Sequence, residues 1–187
     1  MGWFFIERPS DIREYFEREC RVDREDGSRQ RLVDFAIVDL RVGYGAIDQV
    51  DADGSRRVFA LVAPMKFCRN TRFDFGYKHM DETVCPCEAE CPMRILDLLT
   101  DPPYNELAAE WRRRCREYHE GRARVRKLTK GTSFSIASPL TFGGVSASEF
   151  TVSYTNPKSL VCRTSPGSML VAIRRSLLAR LEFVVIR

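Results

Sequence analysis

Residues 32–68, LVDFAIVDLRVGYGAIDQVDADGSRRVFALVAPMKFC, decide the fold class. Val33, Phe35 and Ile37 alternate with polar or small residues, the period of a strand with one buried face. The alternation then slips by one position, to Val38, Leu40, Val42 and Tyr44. A slip of this kind inside an apolar run predicts a β-bulge, or burial on both faces, within one strand over residues 32–47. Asp51-Ala-Asp-Gly-Ser reads as a turn in which Gly54 can take positive φ. Residues 57–67 return as the partner strand, so the stretch predicts an antiparallel hairpin. Pro64 cannot donate to a ladder and is expected at an edge or a bulge.

Before the hairpin, residues 2–7 read as a short strand. Pro9-Ser10-Asp11 then opens a helix, with Ser10 as N-cap and Asp11 in the first turn. Ile12, Tyr15, Phe16 and Cys20 recur at helical spacing, so that helix buries one face. Residues 21–31 are charged and read as an exposed connection. After the hairpin, Pro92 suits the first position of a short helix that Asp101-Pro-Pro stops. Asn105 caps another helix, expected to run to about His119 and to end at Gly121. Leu107, Trp111, Cys115 and Tyr118 mark its buried stripe.

From Gly131 the pattern is β throughout. Strands centre on residues 134–136, 150–154, 160–162, 170–173 and 181–185, separated by Gly143-Gly144, Asn156-Pro157 and Pro166-Gly167. Closely spaced short strands predict a small barrel-like module. The reading is an α+β protein: residues 1–125 form an antiparallel sheet with two or three helices, and residues 126–187 form a small all-β module.

The composition is that of an ordinary globular chain, with 44% apolar and 30% charged residues and a net charge of +4. The charge is uneven. Nine Lys/Arg against two Glu lie between Trp111 and Lys130, a local +7 that leaves −3 for the rest. Asymmetry of this kind favours an anionic partner. Glu7 and Arg8 cut the apolar start too short for a signal peptide, and no run is long enough to span a membrane. Seven cysteines without an export signal point to reduced thiols in the cytoplasm.

Three constellations carry candidate chemistry. Lys78, Asp81 and Glu82 could form a catalytic or phosphate-handling centre, because paired carboxylates shift each other's proton affinity or hold a hard cation. The bland alternative is a loop pinned by salt bridges and caps. Cys85, Cys87, Cys91 and Cys115 have the ligand chemistry zinc favours, with C-x-C-x3-C spacing in place of paired C-x2-C. Zinc is the one cofactor the residues suggest, against buried thiols that act as small hydrophobes. Arg112, Arg113, Arg114, Arg116, Arg124, Arg126 and Lys127 could line a nucleic-acid backbone, with a solvated helix face as the alternative.

The string FGYKHMDE at 75–82, followed by Cys-Pro, ILDLL at 95–99 and Trp111-Arg-x-Arg-Cys115, resembles a family of small uncharacterised proteins carried by phages and integrative or conjugative elements. The Met1-Gly-Trp start and residues 127–142 extend the resemblance over most of the chain. Where similar sequences often carry an acid after the lysine, this chain has His79. The resemblance implies an accessory gene of a mobile element in a bacterial host. Together these readings favour an accessory protein that binds nucleic acid or a host protein through the basic helix and the β module. An enzyme acting on nucleic acid or a nucleotide through the Lys/Asp/Glu centre is one rival, and a zinc-stabilised interaction module is another.

Overall fold

A computed structural model describes residues 2–68, 74–84, 86, 88–165 and 167–186. The chain is α+β, with two antiparallel sheets, one of them a curled half-barrel. It divides into two compact units, residues 1–115 and 116–187, so the boundary falls ten residues before the one expected from the sequence.

The first unit holds β1 (Phe4–Ile6), α1 (Ile12–Glu19), β2 (Val22–Asp23), β3 (Arg29–Val38), β4 (Val42–Val50), β5 (Arg56–Phe67), β6 (Phe75–Tyr77), β7 (Met80–Asp81), a 3-10 turn (Glu82–Val84), α2 (Met93–Leu96) and the first half of α3 (Glu106–Arg126). The strands follow the order β1-β6-β5-β4-β3-β2, with β7 also paired to β5. Alternation along β4 and β5 sends Tyr44, Ala46, Ala60 and Val62 to one face, where they pack with Ile95, Leu96, Trp111 and Cys115 of α2 and α3. Ile47, Leu61, Ala63 and Met65 go to the other face, against Tyr15 and Phe16 of α1. Both faces are therefore covered, which explains why β5 reads as nearly continuous apolar sequence.

Four local expectations change. The slip after Ile37 marks a turn between two strands. Asp39 and Leu40 both take positive φ, at 49° and 55°, and the Arg41 N–H donates to Val38 O at 3.0 Å. Neither residue is glycine, so the usual signal for such a turn is missing. Residues 21–31 are more than a connection, since they contain β2 and the start of β3. The N-cap of α1 is Asp11, not Ser10: its carboxylate accepts from the N–H groups of Arg13 (2.7 Å) and Glu14 (3.2 Å). Pro92 is the N-cap of α2, one position before the expected one.

Pro64 lies within β5, a strand with neighbours on both sides. Its tolerance comes from a break in the partner. β5 pairs with β6 up to Met65↔Tyr77 and with β7 from Val62↔Met80, so Pro64 faces the break between them, where Lys78 N–H donates to Pro64 O at 2.9 Å and the ladder does not continue through a Pro64 donor. The turn at 51–55 forms as expected, with Gly54 at φ 83°.

Asn105 does cap α3, its side-chain oxygen accepting from Ala108 N–H at 2.8 Å. The helix does not stop near His119; it runs through Gly121 to Arg126. In the second unit Gly121 serves close packing. A Cβ placed there would lie 1.9 Å from Ala179 O. Leu107 is 48% exposed, and Ala108 takes its place in the buried stripe.

The second unit continues with β8 (Ser133–Phe142), β9 (Val145–Thr155), β10 (Ser159–Ser165), β11 (Leu170–Arg174), α4 (Arg175–Leu178) and β12 (Phe183–Ile186). The strand order is β11-β10-β9-β8-β12. Phe134, Phe150, Leu160 and Ile173 form its core with Tyr118 and Val125 of α3, Leu128 just after it, and Leu178 of α4. Gly143 and Gly144, both at positive φ, make the tight β8–β9 turn. The short α4 has no counterpart in the sequence reading. Among the described residues, no helix is long and apolar enough to cross a membrane.

Candidate functional site

The 3-10 turn after β7 places Glu82 against α3. Both carboxylate oxygens of Glu82 accept from Arg112, one from Nε and one from Nη2, each at 2.6 Å. Arg112 Nη1 donates to Thr100 O, also at 2.6 Å. Glu82 is fully buried and Arg112 is 4% exposed. A planar guanidinium meets a carboxylate through two parallel bonds here, the strongest geometry for such a pair. Thr100 is itself tied to β5: its N–H donates to Val58 O at 2.9 Å, and its hydroxyl accepts from Val58 N–H at 2.7 Å.

Asp81 faces its own turn. Its Oδ1 accepts from Thr83 N–H at 2.8 Å and from the Thr83 hydroxyl at 2.5 Å. Asn105 Nδ2 donates to Thr83 O at 3.3 Å, joining the turn to the start of α3. Lys78 sits beside Trp3, with Nζ 5.4 Å from the ring centroid. The three residues of the expected catalytic centre thus each engage a different partner. The structure instead brings together Glu82, expected in that centre, and Arg112, expected at a nucleic-acid surface.

Cys91 and Cys115 are both fully buried in the cluster that contains Tyr44 and Trp111. Burial pushes the Cys91 thiol well above the ordinary range, and the nearby Cys115 adds to that. Cys85 and Cys87 lie outside the described residues. Among the described residues, no group of three or more His, Cys, Asp or Glu side chains comes together as a metal site. The backbone around the cysteines is fastened in place. Trp111 Nε1 donates to Glu88 O at 2.8 Å, and Glu90 N–H donates to the Tyr44 hydroxyl at 3.1 Å.

The remaining arginines of α3 divide by unit. In the first unit, Arg113 reaches both carboxylate oxygens of Glu110, at 2.9 and 2.7 Å, and this holds the Glu110 carboxyl below its usual range. Arg114 Nη1 lies 3.5 Å from Pro86 O. In the second unit, Arg116, Arg122, Arg124, Arg126, Lys127 and Lys130 are all exposed. Arg122 lies over the Tyr118 ring at 5.7 Å, and Arg124 over Phe183 at 5.6 Å. The sequence reading did not include the exposed cations of the β module: Lys158, Arg163, Arg174 and Arg180. A charge count taken unit by unit reveals them. Residues 116–187 carry twelve Lys/Arg against four Asp/Glu, a net +8, while residues 1–115 carry 18 against 22, a net −4.

A family model described as "Domain of unknown function (DUF6927)" matches residues 102–176, which contain α3 and most of the β module. No curated protein and no solved structure matches the chain.

Proposed function

We propose that this chain is a nucleic-acid-binding accessory protein, acting in the cytoplasm on behalf of a mobile genetic element, with residues 116–187 making the contact. The observation that carries this reading is the net +8 on that unit, which includes the exposed run Arg122, Arg124, Arg126, Lys127 and Lys130 with no acid among them. Cations near a helix C-terminus do stabilise the helix, by about 0.3–1 kcal/mol each. That effect accounts for a few charges in the last turn and not for the excess across the unit. Crowded like charges repel one another, and a polyanion relieves the repulsion while releasing its own counterions. A binding role also suits the first unit, where Glu82 is closed off by Arg112 and not held open to a substrate. The mobile-element setting draws on the resemblance of the FGYKHMDE, ILDLL and Trp111–Cys115 strings.

The test is fluorescence anisotropy of labelled oligonucleotides over a salt series. Affinity should fall linearly with salt on logarithmic axes. Arg124→Ala with Arg126→Ala should weaken all sequences alike and flatten the slope by about 2. Absent or salt-independent retention would reject the reading, and the host-protein alternative would then lead.

A further inference from the structure

The first unit carries a separate surface of different chemistry. At the β1-β6-β5 end of its sheet, Phe5 is opposite Gly76 and Gly76 is opposite Lys66. Alternation puts Trp3 on the same face as Phe5, and Lys78 on the same face as Gly76. Gly76 is what allows Phe5 to lie across the strand: a Cβ there would be 2.8 Å from Phe5 Cε1. The Trp3 and Phe5 rings are 6.3 Å apart and inclined by 32°. Lys66 Nζ sits over both, 4.3 Å from the Trp3 centroid and 4.4 Å from that of Phe5, and Lys78 Nζ is 5.4 Å from Trp3. Among the described residues, neither lysine is paired with a carboxylate. Further along this face, α2 and α3 cover Tyr44 and Val62. Here Trp3 and Phe5 remain 38% and 39% exposed.

We infer that this aromatic–lysine platform binds single-stranded nucleic acid, with bases stacking on Trp3 and Phe5 and phosphates meeting Lys66 and Lys78. Stacking on aromatic rings beside a cationic track is how strands are held without reading sequence. An ammonium resting on a ring is well placed to move a short way to the phosphate of a base that takes over the ring face. Duplex DNA keeps its base faces stacked inside and offers the rings nothing. An anionic membrane is the competing ligand. It fits less well, because Lys66 Nζ is held 4.3 Å from the Trp3 centroid and 4.4 Å from that of Phe5, and a charge so close to both rings would be carried toward the acyl region if they inserted. The inference rests on the reading that nucleic acid is the partner, and adds a second contact in the other unit.

Tryptophan fluorescence tests it, because Trp111 is fully buried and only Trp3 is open to a quencher. Short oligo(dT) should quench the full-length protein saturably, and blunt duplex should not. Trp3→Phe should abolish the quenching. Lys66→Ala with Lys78→Ala should weaken oligo(dT) about tenfold while duplex affinity is unchanged. No quenching by oligo(dT), with duplex still retained through Arg124 and Arg126, would overturn the platform and leave the basic unit's role standing. Quenching by phosphatidylserine vesicles but not by oligo(dT) would also overturn it. Quenching by oligo(dT) with no effect of the Arg124 and Arg126 changes would support the platform and count against the basic unit.

Discussion

Glu82 and Arg112 close on each other through two 2.6 Å bonds with almost no exposure to water. Removing one partner strands a charge in the interior, which costs about 3–5 kcal/mol. Glu82→Ala and Arg112→Ala should each lower unfolding free energy in urea by that amount. Glu82→Leu combined with Arg112→Met should lose much less than the sum of the two, since an apolar pair leaves no uncompensated charge. Lys78→Ala should stay within about 0.5 kcal/mol of the parent. A loss below about 1 kcal/mol for both single alanine variants would show that the pair is not a structural clasp.

Gly121 sits in the middle of α3, where alanine would ordinarily be favoured by about 1 kcal/mol. The neighbouring chain reverses that preference. The new methyl would be placed 1.9 Å from Ala179 O, and neither backbone can yield without disturbing α4. Gly121→Ala should therefore destabilise the protein by about 1–3 kcal/mol, read as a lower thermal midpoint. A gain in stability would mean that the close approach is absent in solution.

Asp39 and Leu40 hold positive φ without glycine, and Leu40 is 67% exposed, so its side chain returns little by burial. A left-handed residue with a Cβ costs about 1–2 kcal/mol, and glycine's larger unfolded-state entropy cancels part of that. Asp39→Asn with Leu40→Gly should raise stability by about 0.5–1 kcal/mol, as a higher urea midpoint at constant m. An unchanged or lower midpoint would count against the strained turn.

That turn also shows where sequence reasoning reaches its limit. The apolar alternation over residues 33–44 and the returning apolar run of β5 pointed to the antiparallel sheet, and the glycine-marked turns at Gly54 and Gly143-Gly144 were placed correctly. Asp39-Leu40 carries no such mark, so two strands merged into one with a slip. Gly121 carried a misleading mark, because close packing and a helix stop use the same residue. The candidate site was legible as a list of residue types but not as partners. Glu82 and Arg112 are thirty positions apart, and nothing in either local pattern announces a shared bond. The Trp3 platform draws on β5 and on residues in or just beside β1 and β6, one or two from each, too few for periodicity to register.

Cys20 ends α1 and is 4% exposed. Burial, aided by the Glu19 charge, pushes its thiol up to about 12 from an ordinary 9.0. Burial alone raises Cys162 to about 11. A group with a raised folded value keeps its proton to higher pH when folded, so unfolding releases protons between these limits. Stability from this source is complete below about pH 9 and is lost as pH rises toward 12, by up to about 1.4 kcal/mol per pH unit for each thiol. Cys20→Ala should lose some packing equally at all pH values but show a shallower alkaline decline. Urea unfolding of parent and variant at about pH 8 and about pH 10.5 reads the difference directly. A gap between the two proteins that stays constant with pH would show that the Cys20 thiol is not held protonated by the fold.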